Sequence, residues 1–226
     1  MSKLPPWLQE TGADVWDILR QGLGNVARWR KWCLVVLCLL VLIARKTWHH
    51  DAAWLQQLQT HQEYWTQMAR KLSYWGDYLT WTVPFGLIIL GLGLILKKSN
   101  WRRAAIACIL AASFAGIGAN LVSFAVGRPR PSAETADGMY GPRWNYNKYR
   151  SFPSGHAATS FGTATALAVT LPPVGIPCLF YAGGVGWARM ELGRHYPTDI
   201  LVGSVFGIAF GIAFGRAARS VLLKQE

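Results

Sequence analysis

Acidic side chains are scarce in this chain. Eleven Asp and Glu face 23 Lys and Arg over 226 residues, for a net charge of +12. No carboxylate cluster stands anywhere along it, so a carboxylate-held divalent cation is not expected. Cysteine is rarer still. Cys33, Cys38, Cys108 and Cys178 all lie inside apolar blocks, with no CxxC pair and no metal-ligand spacing. They read as small core or lipid-facing residues, and no metal site or cofactor is expected from them. Long cation runs are also missing, so the basic charge does not read as a nucleic-acid surface. The first apolar block has no small-residue cleavage site after it, and residues 1–29 are polar and rich in Trp, which argues against a cleavable signal. No internal repeat is evident.

What the chain has is apolar residue in blocks. Hydrophobic residues make up 52% of it, and they cluster in long stretches with almost no charge, as membrane spans do. Six spans are expected: 32–44, 79–96, 104–126, 156–171, 174–188 and 197–218. The first is short, but Arg30, Lys31, Arg45 and Lys46 flank it and can snorkel, while Trp29 and Trp48 can anchor it. The expected fold is therefore all-α: a polytopic membrane protein with six transmembrane helices in one bundle, plus interfacial helices. Residues 1–31 form an amphipathic cytoplasmic lead, either lying in the interface or capping the bundle. Residues 32–218 form the membrane domain, with an outer segment at 45–78 and a polar loop at 127–155. Residues 219–226 are a cytoplasmic tail. Gly203, Gly207, Gly211 and Gly215 recur every four residues in the last span and mark a close-packing face.

The loop at 97–103 carries Lys97, Lys98, Arg102 and Arg103, which places it in the cytoplasm with both termini. The loops at 45–78, 127–155 and 189–196 then share the outer face. Three polar stretches meet there. Pro153-Ser154-Gly155-His156 stands where a loop becomes a helix, and helix N-termini favour anions. Gly155 lets the backbone approach, and Ser154 can donate its hydroxyl or merely N-cap the helix. Arg189, His195 and Asp199 are spaced six and four apart. A carboxylate bonded to one imidazole nitrogen would leave the other free to attack. Arg189 can bond two phosphate oxygens. In Gly127-Arg128-Pro129-Arg130-Pro131 the prolines fix the direction of two arginines. Each stretch alone has a bland reading, as a serine cap, an interfacial histidine or a basic anchor. Their convergence on one membrane face points to a bound phosphate.

On these motifs the chain resembles the type 2 phosphatidic acid phosphatase (PAP2) superfamily, over about residues 79–218. The family pattern runs Lys, six residues, Arg-Pro; then Pro-Ser-Gly-His; then Ser-Arg, five residues, His, three residues, Asp. Arg130-Pro131, Pro153 to His156, and Arg189, His195 and Asp199 match it. Two positions depart: the family Lys falls on Ser123, and the Ser before the motif arginine is Ala188. Arg128, Lys148, Arg150 or Arg194 could restore the missing charge, with Arg194 the first choice. The resemblance implies His195 as nucleophile, Asp199 as its orienting partner and His156 as acid and base. It implies Arg130, Arg189, Ser154 and the Gly155 amide as the phosphate cradle, and no metal.

The function so implied is hydrolysis of a lipid phosphate or diphosphate through a phosphohistidine. Phosphatidylglycerol phosphate, undecaprenyl diphosphate, phosphatidic acid and a lipid A phosphate are all open as substrates. A phosphotransferase using the same intermediate and a non-catalytic lipid-phosphate binding or transport protein are the alternatives. A haloperoxidase is disfavoured, since those relatives are soluble. The expected place is the bacterial inner membrane, with the site on the periplasmic face. Membrane lipids are the expected partners, with no nucleic acid and no protein partner indicated.

Overall fold

In a computed structural model the chain is described over residues 5–133, 135–142 and 147–223, apart from the side chains at 32–34, 36, 37, 41, 43–45, 222 and 223. The ends of the lead and tail, and Cys33 and Arg45, fall outside that description. Among the described residues all regular structure is helical. The helices are α1 (Pro6–Arg28), α2 (Arg30–Leu58), α3 (Glu63–Trp75), α4 (Val83–Ile95), α5 (Ser99–Val126), α6 (Gly155–Thr170), α7 (Pro172–Glu191) and α8 (Pro197–Leu223). A short π-helical stretch, Tyr78–Thr82, leads into α4.

Helix α6 is the hub and packs on α5, α7 and α8. The approach is close because small residues line it. A Cβ on Gly207 would stand 2.5 Å from the Ala158 carbonyl oxygen and 2.7 Å from the Gly162 nitrogen. Nothing larger than hydrogen fits there, so the glycine row of α8 is a packing face, as its spacing suggests. Gly203 does the same against the carbonyl of Ser154, 2.4 Å from where its Cβ would be. That contact brings the start of α6 beside the start of α8, and with them the two histidine stretches.

Among the described residues three stretches are long and apolar enough to cross a membrane: Tyr78–Ile95, Ser99–Val126 and Pro197–Val221. The other expected spans differ in kind. Helix α6 has 16 residues, and Thr159, Ser160, Thr163 and Thr165 are buried on it. A helix enclosed by other helices need not be apolar all round. The block at 32–44 is part of the 29-residue α2, which runs on through Arg45 and Lys46 to Leu58. Between Arg30 and Leu58 stands no Gly or Pro, so a change in hydropathy does not end the helix.

The lead is a cap. Asp14, Ile18 and Gly22 on α1 are buried, and α1 packs on α8 and α5. Asp14 accepts from Arg102 at 2.8 Å and Arg103 at 2.9 Å. An adjacent stripe of α1 leaves Leu8, Val15, Trp16 and Leu23 exposed, so the helix keeps an apolar face for the interface as well.

Candidate active site

At the end of the bundle where α6 and α8 begin, a cavity of about 240 Å³ opens. Its wall includes Arg130, Arg150, Gly155, His156, Arg189 and His195, with Asp77, Asn120, Ser123 and Asn147. Both histidines of the sequence motifs therefore face one space. The backbone N–H of Ser154 donates to the Asp199 carbonyl at 3.0 Å, pinning the two motif stretches together.

His195 is 3% exposed. Its Nδ1 lies 2.8 Å from the Ser151 carbonyl oxygen. A carbonyl only accepts, so Nδ1 carries the hydrogen and Nε2 keeps a free lone pair. Burial holds the ring's pKa well below the ordinary 6.5, with Arg189 and Arg130 adding to the effect. A neutral imidazole with a bare nitrogen is the form a nucleophile needs.

Asp199 does not bond His195 directly, contrary to expectation. Its carboxylate is 3.8 Å from Nδ1. Fully buried, it accepts from Ser151 Oγ at 2.5 Å, the Tyr196 N–H at 2.8 Å and Arg128 at 2.7 Å. Its reach to the imidazole runs through Ser151, whose hydroxyl it holds and whose carbonyl holds the ring.

Arg128 is a second correction. It is absent from the cavity wall and wholly buried. Its guanidinium donates to Asp51 at 2.9 Å, Asp199 at 2.7 Å, Thr198 at 3.0 Å and both Asp137 oxygens at 2.8 and 3.0 Å. The rings of Trp48 and Tyr196 sandwich it at 3.8 and 4.0 Å. Burial works against its charge, but the three carboxylates outweigh that and raise its pKa. Its bonds run to carboxylates and to Thr198, away from the cavity, so it does not serve a phosphate there.

Arg130, two residues on, points the other way. It lines the cavity, and its Nε is buried with no hydrogen-bond partner among the described residues. Burial lowers its pKa, and Arg194 and Arg150 lower it further. Arg189 donates to Ser73 at 2.8 Å, and its Nε is likewise without a partner. A buried guanidinium and a half-buried one, each with an unspent Nε–H, face one cavity and form an anion site.

The position of the family lysine, Ser123, is in the cavity wall, and its hydroxyl is buried without a partner among the described residues. Arg150 also lines the cavity, whereas Arg194 is exposed and does not. The first choice for the replacement charge therefore passes from Arg194 to Arg150; Arg194 acts on the site only through its field. Lys148 sits outside the wall, 5.4 Å over the Tyr149 ring. Ser154 is fully buried, absent from the wall, and its Oγ accepts from the Ala157 N–H at 3.4 Å. It is the helix N-cap rather than an exposed phosphate donor, while Gly155 does line the cavity. Sequence reasoning missed Asp51, Asp77, Asn120, Asn147 and Ser151. None stands in a motif with local spacing, and only Ser151, just before the Pro-Ser-Gly-His stretch, gave a positional hint. Among the described residues no set of three His, Cys, Asp or Glu is arranged to hold a metal ion.

An all-helical bundle with paired histidines over an arginine-lined cavity at its end is the class of structure in hand. Residues 102–220 match the model of the PAP2 superfamily, and the chain belongs to that family. Among curated relatives, a lipid A 1-phosphatase of Rhizobium johnstonii is 35% identical over 96 residues, 42% of this chain and 39% of that one. A lipid A 4'-phosphatase of Bacteroides thetaiotaomicron is 32% identical over 50% of this chain and 55% of its own length. A decaprenylphosphoryl-5-phosphoribose phosphatase of Mycolicibacterium smegmatis is 32% identical over 137 residues, 60% of this chain and 69% of that one. The chain spans about two fifths of the length of the lipid A 1-phosphatases it matches. Two crystal structures share the fold. LpxE of Aquifex aeolicus has a TM-score of 0.57 at 24% identity, covering 73% of this chain and 93% of that one. The transmembrane PAP2-type phosphatidylglycerolphosphate phosphatase of Bacillus subtilis has a TM-score of 0.61 at 19% identity, covering 85% and 96%. Together with the three apolar helices, these likenesses support a membrane protein.

Proposed function

We propose that the chain is a membrane lipid phosphatase that hydrolyses a phosphate ester through a phosphohistidine. The observation that carries this reading is the single cavity shared by His195, His156, Arg130, Arg150 and Arg189. His195 Nε2 attacks phosphorus as the bond to the lipid oxygen breaks. His156 gives that oxygen a proton, then takes one from the water that attacks the phosphohistidine, releasing phosphate and restoring His195. The arginines and the Gly155 amide stabilise charge on the non-bridging oxygens. Asp199 holds the His195 loop in place through Ser151 and Tyr196.

The substrate we favour is a phosphate borne on a lipid-linked sugar. The names of the curated relatives, on lipid A and on a decaprenyl phosphoribose, support it. Asn120 and Asn147 give the cavity neutral hydrogen-bonding groups suited to a hydroxylated leaving group. Phosphatidylglycerol phosphate, phosphatidic acid and undecaprenyl diphosphate are the competing substrates. Six spans, cytoplasmic termini and a periplasmic site in an inner membrane complete the proposal. It rests on the cationic 97–103 loop at the opposite end of α5 from the cavity.

The test is phosphate release by purified protein from a panel of these lipids in detergent. The expected result is fastest release from a glycolipid phosphate, inhibition by vanadate, and none from His195→Ala. Phosphate carried onto an added lipid acceptor, with no free phosphate released in its absence, would make it a transferase. No release from any substrate would favour a binding protein.

A further inference from the structure

Asp77 is the one carboxylate in the cavity wall among the described residues, and three guanidinium groups share that wall. An acid is out of place where an anion is to bind, unless it serves another group. Its Oδ2 lies 3.4 Å from Nε2 of His156. Its Oδ1 accepts the Leu79 N–H at 3.0 Å, which fixes the side chain's direction. The backbone carrying it is pinned to α6, the helix of His156. Ser160 Oγ donates to the Gly76 carbonyl at 3.1 Å, and the hydroxyls of Thr82 and Thr163 pair at 2.9 Å. Between these pins the chain makes the π-helical stretch Tyr78–Thr82, a rare conformation that recurs at functional sites.

The need is electrostatic. His156 must be protonated to release an alkoxide leaving group. Arg130 and Arg150 from the loop and Arg189 from α7 all oppose a charge on it, at the distances of a small cavity. Helix α5 presents only the neutral Asn120 and Ser123 there, the π-helical stretch adds the phenol of Tyr78, and His195 is neutral. Asp199 on α8 is already bound to Arg128. Among the described residues Asp77 alone offsets the guanidinium groups at contact range.

We propose that Asp77 is the positioning residue of the general acid: its carboxylate faces Nε2 of His156, orients the ring and favours its protonated form against the arginines. The doubly protonated imidazole then gives its Nδ1 proton to the lipid oxygen as the P–O bond breaks, and the Nε2–H stays with Asp77. In the second half-reaction water returns a proton to Nδ1. This inference rests on the proposed phosphatase reading.

The test compares Asp77→Asn with wild type on an alkyl phosphate and on p-nitrophenyl phosphate, whose phenolate leaves without a proton. Asparagine keeps the cap on Leu79 and the side-chain shape, so folding is preserved; Asp77→Glu serves as a second variant that retains the charge. The loss of kcat should be at least about tenfold greater on the alkyl than on the aryl ester. The alkaline limb of the pH–rate profile should move to lower pH, because the imidazole surrenders its proton more readily without the carboxylate. Asp77→Glu should recover part of both, and Asp77→Asn should add nothing in a His156→Ala background. Equal losses on both esters, or an unmoved alkaline limb, would overturn the role of Asp77 while leaving the phosphatase reading intact. A wild-type protein inactive on every ester would instead sink the phosphatase reading.

Discussion

Replacing Arg128 with Met separates the structural guanidinium from those that face the cavity. In the native protein this group meets Asp51 at 2.9 Å, Asp199 at 2.7 Å and Asp137 at 2.8 Å. Asp51 and Asp199 are fully buried. Methionine keeps much of the volume and drops the charge, leaving two interior carboxylates without a cation. Removing one partner of a buried ion pair costs about 3–5 kcal/mol. Loss of stacking between Trp48 and Tyr196 adds about 1–2 kcal/mol. In a domain of this size about 1 kcal/mol moves Tm by roughly 2–4 °C, so Arg128→Met should melt at least about 8 °C lower. Arg130→Met is the contrast. Arg130 is crowded by Arg194 and Arg150 and meets no carboxylate at contact range among the described residues, so its loss should leave Tm at or above the native value. The assay is thermal unfolding in detergent with and without vanadate. Arg130→Met should lose the vanadate-induced rise in Tm. The reasoning is refuted if Arg128→Met melts like the native protein and loses the vanadate effect, for then Arg128 binds the anion.

Arg150→Ala should weaken vanadate binding and turnover by about tenfold or more, as loss of a charge-assisted hydrogen bond does. Arg194→Ala, away from the cavity wall, should do less and mainly through ionic-strength-dependent affinity; titration with vanadate at two salt concentrations separates them. The anion-free protein should lose stability as pH falls below about 6.5. The sign follows because the unfolded chain then protonates His195 while the folded chain, whose histidine pKa is lowered, does not, so protons favour unfolding. Unfolding of native protein and His195→Gln, compared between about pH 8 and pH 5, should show a shallower pH dependence in the variant. Gly207→Ala places a methyl 2.5 Å from the Ala158 carbonyl oxygen and should destabilise by about 1–3 kcal/mol, measured by the same melts.

Much of the site was legible because its motifs are local. Pro153 to His156 announces a helix start, and the glycine row of α8 announces the face that brings this start to His195. What was not legible depends on partners far along the chain. Arg128 and Arg130 look alike in sequence. Asp51, 77 residues before Arg128, and Asp199, 71 after it, claim one of them. The carbonyl that sets the tautomer of His195 belongs to Ser151, 44 residues away, and a backbone atom leaves no mark in a side-chain pattern. Asp77 lies in the outer segment 45–78, where no motif marks it. Hydropathy changes at Arg45, yet α2 continues to Leu58, because hydropathy marks the limit of a membrane block and not the end of a helix.

The account turns on a covalent bond between phosphorus and His195. Rapid quenching of the protein with a radiolabelled substrate in alkali, followed by peptide mapping, tests this most directly. The label should be alkali-stable and acid-labile and should sit on His195, and His195→Gln should neither take up label nor turn over. Label on another side chain, or phosphate release by His195→Gln at the native rate, would contradict it.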